Sequence, residues 1–565
     1  MSDSTDRGSS AGAETDANPY TLHDDGEDGG ERGFVFWADE MADEVERRDP
    51  DEPVVIKGGI SPSGVPHIGN VNEIMRGYFV AEVLRERGHE IRQVFTADDK
   101  DRLRGLPRKL ADLDGNIVDL GDVNAGALGR NLGKPYTAIP DPFGCCDSYG
   151  DHFSTLIGRS ADLLEVPIEI ESNTAMYADG EFEESTRYLL ENRERAREVL
   201  AEYQDGVDEE YVPFLAECSE CGHLTDRITG VDLESNTVEY ECVDVEAGEQ
   251  VIDGCGHEGS AGLGEGKLPW RFEWVAQWKA LGVDFEPFGK DHAEGSWPSG
   301  QDIARNVFGF EPPVPMVYEW FTLDGEAFSS SAGNVMLVSE VLELIEPEVL
   351  RYFFAKDPSR ARDFDVERID LLVDEFDRLE RIYFGEEEAD ERERARAERV
   401  YPLCVGEVPE ERIRLPYTFA AVLGMTDDPD LREEIARREG HIPEDASRET
   451  VEDALARVEL ARNWARETGN EYDYDLKRTE LPEVEVDEDT ERALAELAEF
   501  VEAGHTPEEI QGEIYEAAKR NDVPVGDFFT TGYRLFFDQE QGPKLGSFLG
   551  KLDREFVLAR LRRER

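Results

Sequence analysis

Pro62-Ser63-Gly64-Val65-Pro66-His67-Ile68-Gly69-Asn70 links an apolar run, Val54-Val55-Ile56, to a segment with Ile74, Met75, Tyr78 and Phe79 at helical spacing. This reads as a strand, a tight turn and a helix. Small residues let the backbone approach a phosphate, and the helix N-terminus behind them offers unpaired N–H groups and the positive end of a dipole. His67 adds a side-chain donor at the same place. Gly88 ends the helix, and Ile91-Arg92-Gln93-Val94-Phe95 follows as a second strand, which completes a βαβ unit. Taken alone, such a loop reads equally well as a structural turn with a surface histidine.

Other segments decide between the two. The nonapeptide resembles the His-Ile-Gly-His element of class I aminoacyl-tRNA synthetases. Far downstream, Phe328-Ser329-Ser330-Ser331-Ala332-Gly333-Asn334 resembles the second, mobile element of that class, which in class I lysyl-tRNA synthetases has the form KMSSSKGN. Three further blocks resemble the lysyl family: Asp98-Asp99-Lys100-Asp101-Arg102-Leu103-Arg104, Asp141-Pro142-Phe143-Gly144-Cys145, and Arg351-Tyr352-Phe353-Phe354 running on to Asp374-Glu375-Phe376-Asp377-Arg378-Leu379-Glu380-Arg381. The resemblance spans roughly residues 35–390 in the expected order. It departs at one place, since both lysines of KMSSSKGN are alanine here, Ala327 and Ala332.

The resemblance implies a Rossmann-type doubly wound α/β catalytic domain with zinc-binding inserts, followed by an all-α anticodon-binding domain. It implies ATP with Mg²⁺, L-lysine and tRNA(Lys) as substrates, structural Zn²⁺, and a monomer in the cytoplasm. The motif-bearing residues then take roles. His67, Asn70, Ser329, Ser330 and Ser331 are the catalytic candidates. Pro62, Ser63, Gly64, His67, Gly69, Asp291 and His292 would bind ATP. Gly59, Glu273, Trp274 and Tyr318 would bind the amino acid. A buried carboxylate should receive the ammonium of a lysine substrate; Glu273, Asp291 and Glu319 are candidates, with Trp270, Trp274 and Tyr318 covering the methylene stem. A glutamyl or glutaminyl enzyme of the same class is the nearest alternative, but those lack the Asp141 and Asp374 blocks. The missing lysines also leave open a tRNA-binding or regulatory module without activation chemistry. Against it stand His67 and the intact Ser329-Ser330-Ser331, which binding alone would not need.

Composition indicates where such an enzyme works. A formal charge of −70 over 565 residues, 130 acidic against 60 basic side chains, points to a high-salt environment. At molar ionic strength the Debye length falls to about 3 Å, so self-repulsion is screened. Acidic excess argues against nucleic-acid binding, so a tRNA partner requires local basic surface, for instance Lys551 to Arg554 and Leu561 to Arg565. No apolar run approaches the roughly twenty residues of a membrane span, and no export signal is visible.

Six of the seven cysteines cluster. Cys218-Ser219-Glu220-Cys221 is a metal knuckle, and Cys242 and Cys255 complete a four-cysteine zinc ribbon. The long spacer between Cys242 and Cys255 must loop out, or His257 must substitute. Asp141, Cys145, Cys146 and His152 form a second candidate set on a Gly- and Pro-bent loop; in the family this region resembles a second zinc site. Cys404 is isolated and reads as core.

The pattern divides the chain into an acidic, disordered tail (1–33), the Rossmann domain (34–340) with inserts at about 100–170 and a ribbon at about 211–262, a helical connector (341–390) and a helical domain (391–565). The acidic runs 386–393 and 483–489 read as exposed connections.

Overall fold

The computed structural model describes residues 34–564 apart from 248–249, 329–333 and 411. The expected disordered tail and the triplet Ser329, Ser330 and Ser331 lie outside the described residues. The chain divides into two compact units, one holding residues up to Thr322 with Glu326–Leu337 and Phe354–Arg362, the other holding Leu323–Gly325, Val338–Phe353 and Asp363 onward.

The first unit is built on five parallel strands: β1 (Val54–Ile60), β2 (Ile91–Ala97), β3 (Glu169–Ser172), β4 (Phe285–Gly289) and β5 (Val314–Tyr318). Their order across the sheet is β5-β4-β1-β2-β3. β1 pairs with β2 from Val54 opposite Ile91 to Ile60 opposite Ala97, and β4 pairs with β5 from Phe285 opposite Val314 to Gly289 opposite Tyr318. The chain winds outward from β1 in one direction, then returns to β1's other side. Strand order therefore reverses between β1 and β4, which opens a crevice at the carboxyl ends of these strands.

Helix α1 (Trp37–Glu46) and helix α2 (Ile68–Glu86) belong to this layered core. α2 is buried along most of its length, including Ile74, Met75, Tyr78 and Phe79. It stops as expected at Gly88, whose φ of 100° a side chain would resist. Arg76 on α2 is buried yet satisfied, since its guanidinium lies 5.2 Å from the Trp37 ring and donates to the Phe354 and Lys356 carbonyls. Between β2 and β3 runs helix α3 (Tyr149–Leu163), capped by the Ser148 hydroxyl, which accepts from the Asp151 N–H. Between β3 and β4 come the cysteine-bearing antiparallel strands and helix α4 (Trp270–Leu281).

The second unit is helical over most of its length. The Asp374–Arg381 block lies on the helix Ile369–Tyr383 and has a structural explanation. Asp377 and Glu380, one turn apart and both buried, face two arginines, Arg457 and Arg414. Arg457 grips Asp377 with both terminal nitrogens at 2.6 and 2.9 Å and also meets Glu346. Arg414 holds Glu380 at 2.9 and 3.0 Å, and Arg412 pairs with Glu348. Removing one partner leaves a buried charge uncompensated, so Arg457→Ala is expected to destabilise this unit by about 3–5 kcal/mol. Thermal unfolding in molar KCl measures this, and a loss under about 1 kcal/mol would contradict the network's role.

Two sequence readings are refined by the structure. The acidic run 386–393 is only partly a connection, because the helix Glu391–Val405 begins inside it. Asp390 caps that helix by accepting from the Glu393 N–H while Glu393 accepts from the Asp390 N–H, and acids are favourable at a helix N-terminus. The C-terminal basic segment is partly engaged within its own unit, while Arg554, Arg562 and Arg563 stay exposed. Arg560 is buried and donates to the Lys477 carbonyl, Arg562 pairs with Glu502, Lys551 with Glu439, and Arg563 donates to the Val484 carbonyl.

Candidate active site and metal centres

β1 delivers its last residues, Gly58, Gly59 and Ile60, to the mouth of the crevice. A side chain on Gly59 would collide with the Thr96 hydroxyl on β2, so only glycine allows this spacing. The loop from Ser61 then leads to His67, which precedes α2. Its backbone N–H donates to Asn70 Oδ1 at 3.0 Å, so the Asn70 side chain caps the helix. The sequence reading placed Asn70 among the catalytic groups; in the structure its oxygen is committed to the backbone.

The His67 ring stacks on Phe328, centroids 4.8 Å apart and planes 17° from parallel. Phe328 holds the methionine position of the second motif, so this contact joins the two motif segments. Among the described residues His67 Nδ1 is buried without a hydrogen-bond partner. Burial lowers its pKa to about 4, so the ring is neutral at pH 7, and one nitrogen is a donor. An orphaned ring nitrogen beside a helix N-terminus suits an anionic ligand. A Cβ on Gly69 would sit 2.7 Å from that nitrogen, which accounts for the glycine. At the second motif, the Ala327 carbonyl accepts from Asn334 Nδ2 at 3.0 Å.

Asp291 and His292 open the short helix Lys290–Gly295, directly after β4 at the same end of the sheet. His292 lies 5.7 Å from the Trp274 ring and 6.0 Å from Trp270. Trp274 itself is buried, and its indole N–H donates to Glu286 at 2.9 Å.

The three carboxylates considered for the substrate ammonium fare differently. Glu273 is fully buried and already saturated: Lys267 Nζ lies 2.7 Å away, and the Tyr177 hydroxyl donates to its other oxygen at 2.8 Å. It cannot serve as the receiver, because the chain supplies its own ammonium there. Glu319 is held by Lys290 at 2.8 Å, and Asp291 is more than half exposed.

A fourth carboxylate, Glu73 on α2, has the properties the sequence reading sought. It accepts from the Gly59 N–H at 2.7 Å and from the Tyr318 hydroxyl at 3.1 Å, which joins it to the ends of β1 and β5. No cationic nitrogen lies within ion-pair distance among the described residues, since the nearby Lys57 is committed to Glu286 at 2.8 Å. Burial, then the neighbouring Glu286, raises its pKa to about 8. The residue nonetheless retains intermediate exposure. Its place one helical turn beyond Asn70 was legible in the sequence; what hid it was its position inside an apolar helix.

Both cysteine clusters assemble. Cys218, Cys221, Cys242 and Cys255 bring their sulfurs within 4.8 Å of one another, with the pairs 218–255 and 221–242 at 3.6 Å. Tetrahedral zinc thiolates sit about 3.8 Å apart, so this donor set fits zinc. The long spacer loops out as a hairpin, Val245–Ala247 against Gln250–Ile252. His257 is not a ligand here; its ring faces the Ser219 hydroxyl at 3.3 Å. In the second cluster, Asp141, Cys145, Cys146 and His152 also place one donor each within 4.8 Å. His152 is buried, and Nε2 donates to the Ala111 carbonyl at 2.8 Å, so Nδ1 presents a lone pair beside Cys145 Sγ at 3.4 Å and Asp141 Oδ1 at 3.3 Å.

A switch point of this kind, with a glycine-bearing turn at a helix N-terminus, makes the first unit a Rossmann-type nucleotide-binding fold. Residues 35–406 match the family model described as tRNA synthetases class I (K), and the chain belongs to that family. Its relatives include a lysine--tRNA ligase of Haloarcula marismortui, 68% identical over 94% of this chain and 97% of that protein. Another, from Halobacterium salinarum, is 68% identical over 97% of this chain and 99% of its own. The lysine--tRNA ligase of Pyrococcus horikoshii is 36% identical over 94% of this chain and 100% of its own.

Proposed function

We propose that the chain attaches L-lysine to tRNA(Lys) through a lysyl-adenylate, for translation. The observation that carries the reading is identity of 68% along nearly the whole length of proteins named lysine--tRNA ligase. In the first step a lysine carboxylate oxygen attacks the α-phosphorus of ATP·Mg²⁺ and the bond to pyrophosphate breaks. In the second, a ribose hydroxyl of the tRNA terminal adenosine attacks the acyl carbon and AMP leaves. Neither step needs a covalent enzyme intermediate, so the protein's contribution is positioning and electrostatic stabilisation.

Pro62, Ser63, Gly64 and Gly69 would line the phosphates with His67 as donor, and Asp291 and His292 would face the nucleoside. Ser329, Ser330 and Ser331 would close on the leaving pyrophosphate. Glu73, with Gly59 and Tyr318 orienting it, would receive the substrate ammonium. The helical unit would grip the anticodon region of the tRNA. Cytoplasmic location and a monomeric state complete the reading; no described helix is long and apolar enough to cross a membrane.

The test is ATP-pyrophosphate exchange in molar KCl with tRNA present. Exchange dependent on lysine alone is expected; exchange with glutamate, or none with any amino acid, would overturn the reading.

Both cysteine clusters would hold structural zinc, whose binding free energy contributes directly to folding. Two equivalents are expected by elemental analysis of protein kept reduced and free of chelators, and chelation should unfold the inserts first. One equivalent would remove the second site. The alanines at 327 and 332 leave the pyrophosphate without a loop cation, which concentrated K⁺ would offset. Ala332→Lys is therefore expected to raise exchange at low salt and change it little in molar KCl; an equal gain at every salt concentration would rule this out.

A further inference from the structure

The Asp98–Arg104 block has no role in the chemistry above, yet it lies at the carboxyl end of β2 against the base of the ribbon. Lys100 Nζ reaches the Gly264 carbonyl at 3.4 Å, and Arg102 donates to the Leu224 carbonyl at 3.3 Å. Between them, Asp101 divides its carboxylate. Oδ1 takes Lys267, and Oδ2 accepts from the Ser61 hydroxyl at 2.7 Å, at the start of the loop that runs to His67.

Lys267 comes from the ribbon's closing strand. Gly266–Lys267 pairs with Leu215–Glu217, Lys267 opposite Leu215, and Cys218 follows that partner strand directly. Lys267 is buried, as are Glu273 and Asp98. The end of the strand is locked in turn, because the Leu268 N–H donates to the Tyr177 hydroxyl at 2.7 Å while that hydroxyl donates to Glu273.

We infer that Lys267 is a positioning residue, through which the ordered ribbon fixes the nucleotide loop by way of Asp101 and Ser61. Buried ion pairs contribute little net stability, so this cluster is better explained by the geometry it imposes than by the energy it adds. Without the ammonium, Asp98, Asp101 and Glu273 would repel one another across a low-dielectric space, and Asp101 would no longer be held against Ser61. The inference rests on the nucleotide-binding reading of the loop, not on the identity of the amino acid.

The test is equilibrium dialysis of the full chain with ATP·Mg²⁺ in molar KCl. It needs neither lysine nor tRNA, so failure of lysine ligation and failure of this coupling are read separately. Ser61→Ala and Lys267→Met are each expected to raise the Kd for ATP about tenfold, and the double variant no further than the larger single effect, since both act through one contact. Lys267→Arg, which keeps the charge, should recover part of the loss. In exchange assays the KM for ATP should rise while that for lysine stays within about twofold. If circular dichroism shows Lys267→Met unfolded, Ser61→Ala decides, because it leaves the buried ions in place. Unchanged ATP affinity in folded Ser61→Ala, multiplicative losses in the double variant, or equal rises in both KM values would overturn the inference.

Discussion

Glu73→Gln is expected to raise the KM for lysine at least about 30-fold, the equivalent of roughly 2 kcal/mol for removing one member of a desolvated charge pair. The substitution keeps the shape and the hydrogen bond from the Gly59 N–H, and its amide N–H donates to the Tyr318 hydroxyl where the carboxylate accepted from it, so the effect reads the loss of charge with one hydrogen bond reversed. A pH signature accompanies it. In the ligand-free protein the carboxyl is protonated below about 8, whereas an ammonium ligand requires the ionised form. Lysine binding therefore releases a proton, and apparent affinity should climb about tenfold per pH unit up to that value and then level. The same raised value means that folding favours the neutral form. Its contribution to stability declines as pH rises from the unfolded-state carboxyl value of about 4.3 toward 8, and is flat above. Glu73→Gln should abolish both dependences and leave the protein folded. A variant that keeps the wild-type lysine KM and pH profile would show that the ammonium is received elsewhere.

His67→Ala is expected to lower lysine-dependent exchange by more than about tenfold, since one preorganised donor at developing phosphate charge is worth 10² to 10³ in rate at most sites. The ring is neutral and buried, and it is stacked rather than hydrogen-bonded through Nδ1, so its removal deletes a donor without breaking an ion pair. Some packing against Phe328 is lost as well. His67→Asn, which retains a donor near the same position, separates the two contributions by recovering part of the rate. Full activity of His67→Ala under saturating ATP would remove the histidine from the chemistry.

Local rules made several features readable from the chain alone. Val54–Ile56 and Ile91–Phe95 are strand-like segments bounded by turn residues, and the segment between them carries Ile74, Met75, Tyr78 and Phe79 at helical spacing, so the βαβ unit and its helix N-terminus follow from periodicity and sterics. The cysteine spacings likewise predict two clusters that the structure assembles: Asp141 to His152 lie within one short loop, and the Cys218–Cys221 knuckle announces a set that the distant Cys242 and Cys255 complete. Recognition of the motif blocks brought the family with it.

Long-range pairing decided the rest. Whether a carboxylate is free to receive a ligand depends on what the chain itself puts against it, and that partner is distant in sequence. Glu273 has the right residue type near the right motif, yet Lys267 and Tyr177 occupy it. Glu73 sits in a helix that reads as core, and only the approach of Gly59 and Tyr318 from two strands turns it into a candidate binding group. In the basic C-terminal segment, likewise, Glu439 and Glu502, both far upstream, pair with Lys551 and Arg562 and reduce the charge left for a partner. Residue type, spacing and period are properties of neighbours along the chain, so the sequence by itself determined the strand-turn-helix, the Cys218–Cys221 knuckle and the family. Neutralisation and desolvation are properties of neighbours in space, so only the tertiary structure decided which charges are spent on the fold and which remain for a substrate.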